Sequence, residues 1–281
     1  MDRAGRRNMS GSTHVVVARN AATRSDNRIH EDTVARSYGF SGGLVPGVTL
    51  YGYLTQPVVA HFGTDWLERG TIDVRFSRPV YDGGRVEAVA EPDPVGSPEL
   101  GLRLVDSVGT AYVTGTAGLP ERPQPIFDPA SVPWGETVED RPDADAESLA
   151  PGRVLGSLFA PVEADHYRAY LELLEADPEP YRSAGLAHPG ALILSANTIL
   201  AANVRLGPWV HVGSRVANLA SVPRRAEVET RARVRDRYER KGHQLVELEV
   251  VWLHDGTPVM TALHTAIYQL RHEEEPGVRV D

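Results

Sequence analysis

Residues 25–49 run Ser25-Asp26-Asn27-Arg28-Ile29-His30-Glu31-Asp32-Thr33-Val34-Ala35-Arg36-Ser37-Tyr38-Gly39-Phe40-Ser41-Gly42-Gly43-Leu44-Val45-Pro46-Gly47-Val48-Thr49. An Asp-Asn pair and a histidine stand at the mouth of a short helix, expected over Ile29–Tyr38 with Asp26 or Asn27 as cap and Gly39 at its end. A glycine-rich loop follows, and Pro46-Gly47 opens a second helix that runs to about Phe62. A helix N-terminus carries unpaired N–H groups and partial positive charge, and a glycine there lets a substrate oxygen come close. The segment thus offers His30 as a proton handler, Asn27 as a carboxamide positioner, and the N–H groups of Gly47 and Val48 as an oxyanion hole.

Outward from this stretch the pattern is that of a sheet wrapped around a helix. Val48, Leu50, Tyr51, Leu54, Val58 and Val59 make the second helix apolar on most sides, as a buried helix is, and Pro57 is expected to kink or break it. Residues 1–12 are expected as a disordered tail, followed by a first strand within Thr13–Ala22. After the helix come strand-like runs at Thr71–Val80, Arg85–Ala90, Gly101–Val105 and Thr110–Ala117, separated by Gly- and Pro-containing turns. One strand, one buried helix and four strands imply an α+β layer pair. Residues 121–151 are rich in proline and acidic side chains, which makes them a semi-rigid linker, with Trp134 expected to dock on a neighbouring domain. The order then repeats: a strand at Val154–Phe159, a helix at Ala164–Ala176, an apolar helix Ala191–Val204 opened by His188-Pro189-Gly190, and strands at Trp209–Val222, Glu227–Tyr238, Gln244–Leu253 and Val259–Leu270. The chain is read as an internal duplication, with domains at 13–120 and 152–271.

Asn27-Arg28-Ile29-His30, Ala35, Gly39-Phe40, Leu44 and Pro46-Gly47 resemble the hydratase motif of the R-specific enoyl-CoA hydratases, the MaoC-like group of hotdog proteins. That motif reads Asp-x-Asn-Pro-Ile/Leu-His, then Ala-x-x-x-Gly-Phe, then His-Gly at the start of the long helix. In this chain Arg28 replaces the motif's proline, Pro46 replaces its second histidine, and Ser25 occupies the position of its catalytic aspartate; Asp26, one residue out of register, is expected either as a catalytic residue that turns toward His30 as its ion-pair partner or as a solvent-facing helix cap. With the duplication, the resemblance implies a double hotdog: two antiparallel sheets, each wrapped around a long central helix and paired edge to edge with both helices on one side. It also implies one active site per chain, since the second half lacks Asn-x-x-His; Asp165-His166 is either a capped helix start or a degenerate second site.

With 281 residues, 41% hydrophobic and 24% charged, the composition is that of a soluble globular protein. A net charge of -9 argues against a general nucleic-acid binder, and no apolar run is long enough to span a membrane. The absence of cysteine excludes a disulfide framework, thiolate metal ligation and a cysteine nucleophile. The polar, arginine-bearing start has no apolar core of a signal peptide, so a cytoplasmic location is expected.

No histidine has metal-ligand spacing, so no metal is expected; His61, His211, His243, His254, His264 and His272 are expected as surface or core residues. His188, directly before a helix start, could line an acyl channel, and Ser25 and Tyr51 are expected on the substrate side of the motif. Arg231, Arg233, Arg235 and Arg237 alternate on one strand face and follow Arg224-Arg225; they form either a solvated outer face or a dock for the phosphates of coenzyme A. The expected partner is an acyl-CoA or acyl carrier protein thioester, with coenzyme A as part of the substrate and no other cofactor. The chain is expected as a monomer of two halves or a homodimer.

Two thioester chemistries suit such a site. Hydration of an enoyl chain uses an aspartate and a histidine together, and a Ser25 hydroxyl is no carboxylate base near neutral pH. Hotdog thioesterases often place a carboxylate on the long helix, and neither Gly47–Phe62 nor Ala191–Val204 contains one. An oxyanion hole with His30 and Asn27 suffices to set one water on a thioester carbonyl, so acyl-CoA hydrolysis is favoured over MaoC-type hydration or dehydration. A non-catalytic acyl-binding partner is the third possibility.

Overall fold

The computed structural model describes residues 11–22, 25–92, 97–137, 139–163 and 167–271. The first half contains β1 (Ser12–Val17), a single 3-10 turn (Arg28–His30), α1 (Asp32–Ser37), the long helix α2 (Gly47–Phe62) and the short α3 (Asp65–Arg69). Its sheet is completed by β2 (Thr71–Phe76), β3 (Arg85–Pro92), β4 (Leu100–Val105) and β5 (Ala111–Gly118). The second half repeats the order: β6 (Val154–Pro161), α4 (Tyr167–Leu173), a kinked turn α5 (Pro178–Tyr181), the long helix α6 (Pro189–Asn203), β7 (Val210–Asn218), β8 (Glu227–Arg240), β9 (His243–His254) and β10 (Thr257–Gln269).

All ten strands form one antiparallel sheet in the order β1-β3-β4-β5-β2-β7-β10-β9-β8-β6. Read from its centre outward, this order is the same in both directions when each strand is exchanged for its counterpart in the other half. The architecture is a double hotdog. The halves meet where β2 pairs with β7, with Ile72 opposite Val216 and Val74 opposite Ser214. Period-2 alternation explains the seam: Ile72 and Val74 are buried, while Asp73 and Arg75 point away into solvent.

Helix α2 is buried without a gap from Val48 to Val58, as its all-round apolar pattern requires. Both long helices contribute to one continuous core with β2, β7 and the outer strands. Pro57 does not break α2; the helix runs through it and the ring is buried.

The helix expected over Ile29–Tyr38 is in fact divided. Glu31 is extended (φ -91, ψ 132) and separates the 3-10 turn from α1. The reason is local competition for acceptors: the Ile29 carbonyl takes a hydrogen bond from Leu44 N (3.3 Å), and the His30 carbonyl takes one from Asn20 Nδ2 (2.9 Å). Those carbonyls are therefore engaged by the loop rather than by a continuing helix.

The proline-rich segment lies against the second half. Phe127 and Val132 pack on Val251 and Leu253 of β9, Trp134 meets Phe159 at 5.5 Å with the rings tilted by 36°, and Leu149 is fully buried. The expected tail falls outside the described residues as far as position 10.

A candidate active site at the start of the first long helix

Asn27 is a clamp between the halves. Its Oδ1 accepts from Ile29 N (3.3 Å), which caps the 3-10 turn, and from Trp209 N (3.2 Å); its Nδ2 donates to the Trp209 carbonyl (2.9 Å). The carboxamide thus holds the lead-in to β7 against the motif loop. Both ends of the amide are thereby engaged by backbone groups.

His30 is half-buried, and its Nδ1 lies 2.7 Å from the Leu44 carbonyl. A carbonyl can only accept, so Nδ1 carries the proton and Nε2 keeps its lone pair. Burial lowers the imidazole pKa below the usual value, partly opposed by the Leu44 carbonyl. His30 is therefore a neutral base near pH 7.

Beside it, the N-terminus of α2 offers donors. The N–H groups of Thr49 and Leu50 bond to the Pro46 carbonyl at 2.9 and 3.2 Å, whereas those of Gly47 and Val48 have no backbone acceptor among the described residues. Position 47 has no room for a side chain: a Cβ there would lie 2.8 Å from Nδ1 of His211.

His211 belongs to a buried chain of polar groups whose proton positions follow from one another. Nε2 of His264 is 2.9 Å from Oδ1 of Asn197 and donates to it, so the other nitrogen of a neutral imidazole, Nδ1, accepts from the Ser214 hydroxyl at 3.0 Å. Ser214 Oγ, its proton used, accepts from His211 Nε2 at 2.8 Å, and that N–H also faces the Gly213 carbonyl at 3.1 Å. The last free lone pair is His211 Nδ1, buried without a partner. The two imidazoles stack at 4.1 Å. Burial holds His211 down to about 3, and burial together with the neighbouring His211 holds His264 well below its usual value, so both stay neutral. With Oδ1 of Asn197 engaged, its NH2 group is left to face outward.

Two cavities meet at this point. One of about 240 Å³ reaches from His30 and Gly47 past His211 towards Ser77 and His243. The other, of about 1000 Å³, runs between the two long helices past Val48, Leu194 and Ala201, at the upper end of the usual size of ligand sites. Asn27, His30, Pro46, Asn197 and Trp209 line both. Among the described residues Asp26 is the only carboxylate lining either one, and it is exposed.

Other expected residues fall elsewhere. Ser25 is exposed at the rim of the larger cavity and donates to the Asn27 carbonyl (3.2 Å), not to His30. Asp26 neither caps the turn, which Asn27 does, nor forms a bond or ion pair among the described residues; it faces solvent at the same rim. Tyr51 does not line either cavity: it is fully buried, its hydroxyl has no partner, and burial pushes its pKa up. His188 does not line a channel. It is the buried N-cap of α6, accepting from Gly190 N at 3.0 Å and packed between Tyr170 and Tyr181, and burial lowers its pKa to about 3. Arg224 and Arg225 share Glu163 at 3.7 and 3.6 Å, away from both cavities. Arg231, Arg233 and Arg235 are matched by Glu229, Glu247 and Glu249, so this strand face is an ion-pair ladder and not an open dock. Asp165 and His166 lie outside the described residues.

The second helix start is closed. Tyr170 donates to the Val48 carbonyl (3.3 Å), and a Cβ on Gly190 would lie 2.0 Å from its hydroxyl oxygen. A phenol fills the space that the first half keeps open.

Asn197, Ser214, His211 and His264 were not expected as site residues. They lie on α6, β7 and β10 and meet only through the tertiary fold. The available signal was weak: Ser214 and His264 are polar residues at buried positions of β7 and β10, strands that carry other polar residues too.

No family model matches the sequence, and no curated protein matches it. Solved structures do resemble the fold. RV0216 of Mycobacterium tuberculosis, described as a conserved hypothetical protein with a double hotdog fold, is 16% identical with a TM-score of 0.60, covering 91% of this chain and 96% of its own. A candidate MaoC domain dehydratase of Chloroflexus aurantiacus is 11% identical with a TM-score of 0.60, covering 94% and 96%. A candidate oleoyl thioesterase of Lactobacillus plantarum is 11% identical with a TM-score of 0.51, covering 95% and 98%. At these identities the likeness is one of fold.

Proposed function

We propose that this chain processes an acyl thioester, and that the reaction is hydrolysis. The observation that carries the reaction is the composition of the junction between the cavities: one neutral imidazole, the amide of Asn197 beside that of Asn27 already engaged by backbone, and a helix start, with no carboxylate among the described lining residues except the exposed Asp26. Dehydration of a 3-hydroxyacyl chain moves a proton from Cα to a hydroxyl on Cβ, which a lone imidazole serves only if it reaches both atoms, and Asn197 has no ionisable proton to share that work. Hydrolysis asks His30 to take and return a proton at a single carbon.

In this reading His30 Nε2 takes a proton from water as the water oxygen bonds to the carbonyl carbon. The oxyanion is received by the N–H groups of Gly47 and Val48. Asn197 NH2, held in orientation by His264, steadies the water or the carbonyl oxygen from the other side. Collapse breaks the C–S bond, and the proton on His30 passes to the departing thiolate, giving a carboxylic acid and a thiol.

A second reading, dehydration or hydration of the MaoC type, is favoured by the Asn27-x-x-His30 spacing and by the dehydratase among the structural neighbours. One assay separates them. A saturated acyl-CoA is incubated with the protein, and free thiol and product mass are followed. Thiol release supports hydrolysis. Inert saturated substrates, with a mass gain of one water on an enoyl-CoA and no thiol, would establish the second reading instead.

A further inference from the structure

Several arginines of this protein are matched by carboxylates, as Arg69 is by Asp65, Arg103 by Glu91 and Arg205 by Asp143. Among the cations that are not, four gather in one place. Arg75 on β2, Arg215 on β7, and Arg240 and Lys241 at the β8–β9 hairpin line a groove of about 740 Å³ on the sheet face turned away from the helices. Among the described residues none of the four has a carboxylate oxygen within the 4.0 Å of an ion pair. The acidic side chains of the groove are Asp73 and Glu247, and Glu247 is already engaged by Arg235 at 3.1 Å. The groove therefore holds more positive than negative charge on a protein whose net charge is -9.

The groove also leads somewhere. Phe76, Ser77, Val212, His243 and Ile267 line both it and the smaller cavity, which ends at His30 and Gly47. Arg78 adds a further cation to the wall of that cavity. A ligand that is polyanionic at one end and narrow behind it can lie with its anionic end on the outer sheet face and its tail at the imidazole. Guanidinium groups spaced along a groove suit several phosphates on one small molecule, each taking charge-assisted hydrogen bonds.

We propose that this groove binds the phosphates of coenzyme A. The carrier arm then enters along the outer face, pantetheine occupies the smaller cavity, and the acyl chain lies in the larger one beyond His30. The orientation rests on the thioester reading above, but the groove can be tested without turnover.

The test is binding of coenzyme A, beside pantetheine as the phosphate-free control, to the full chain and to the double variant Arg240→Gln/Lys241→Asn. Lys241 has a positive φ of 53 and Gly242 one of 77, so asparagine keeps the turn. Arg103→Gln, distant on β4, controls for the general loss of a positive charge. Coenzyme A is expected to bind more tightly than pantetheine, to weaken as salt rises, and to lose about tenfold in the double variant, with pantetheine unaffected. Equal affinity for both ligands, or an unchanged affinity for coenzyme A in the double variant, overturns the proposal. So does binding of a phosphopantetheinylated carrier protein that depends on these cations when coenzyme A itself does not bind. Variant-sensitive binding without hydrolysis would sink the reaction and leave the groove; hydrolysis with charge-insensitive binding would do the reverse.

Discussion

A methyl group placed on Gly47 would sit 2.8 Å from Nδ1 of His211, nearer than a real Cβ approaches a ring nitrogen. Gly47→Ala must therefore move either the first turn of α2 or the buried imidazole. The expected outcome is a stability loss of about 1–3 kcal/mol by overpacking, with a larger proportional loss of turnover because the donors at the helix start are displaced. Adding His211→Ala removes the obstructing ring, so the double variant should unfold at higher denaturant than the sum of the single losses predicts. His30 is tested differently. His30→Ala should lower kcat by about 10²–10⁴ with the far-UV circular dichroism unchanged. Its lowered pKa sets the sign of the pH profile: the base is active when unprotonated, so kcat/KM should hold its plateau to somewhat below pH 6.5 and fall only under that. A plateau lost above pH 7 would contradict a buried neutral base.

At the scale of elements, the motif loop and β7 are joined through one side chain. Asn27→Ala removes three hydrogen bonds, two of them to Trp209 of the other half. A loss of about 2 kcal/mol in urea unfolding is expected, from the lost cap and from Trp209 groups left without their partner. Asn27→Asp keeps the capping oxygen but cannot donate to the Trp209 carbonyl, and should fall between the two. The long helices and most strands were legible because each carries its own period: α2 begins at Gly47 and ends at Phe62 as its apolar run indicates, and Thr71–Phe76 alternates strictly. The division of the first short helix was not legible, since it depends on Leu44 and Asn20 reaching back to carbonyls of the turn. His30 was visible from its neighbours in sequence. The relay behind it was not, because Asn197, Ser214 and His264 acquire a common purpose only when α6, β7 and β10 converge. The arginine run on β8 left two readings open for the same reason, its carboxylate partners on β9 being invisible in the spacing on β8.

At the scale of the whole molecule, three histidines among the described residues are buried in neutral form: His188, His211 and His264. Each has a folded pKa below the unfolded value, the first two at about 3 against 6.5. Below pH 6.5 the unfolded chain takes up protons that the native protein refuses, so stability is fully present above that pH and declines as pH falls towards the folded values. Each site then contributes up to about 1.4 kcal/mol per pH unit. Unfolding measured from pH 7 to pH 5 should show a steadily falling midpoint, with an uptake on unfolding at pH 5 of about three protons from these sites. A midpoint independent of pH over this range would mean that the imidazoles are solvated or paired.

Asn197 stands seven positions after Gly190, and the residue seven positions after Gly47 is Leu54, fully buried. In an assembly of two identical subunits these two places would have to be occupied by the same residue, because one gene would write both. Any polar group supplied to one reaction chamber would also be forced into its twin, and any plug such as Tyr170 would close both. Fusing the halves into a single polypeptide removes that coupling. One half was then free to turn its helix mouth into core while lending an amide across the seam, and the other to keep its mouth open: a division of labour that a symmetric ancestor could not have evolved one substitution at a time.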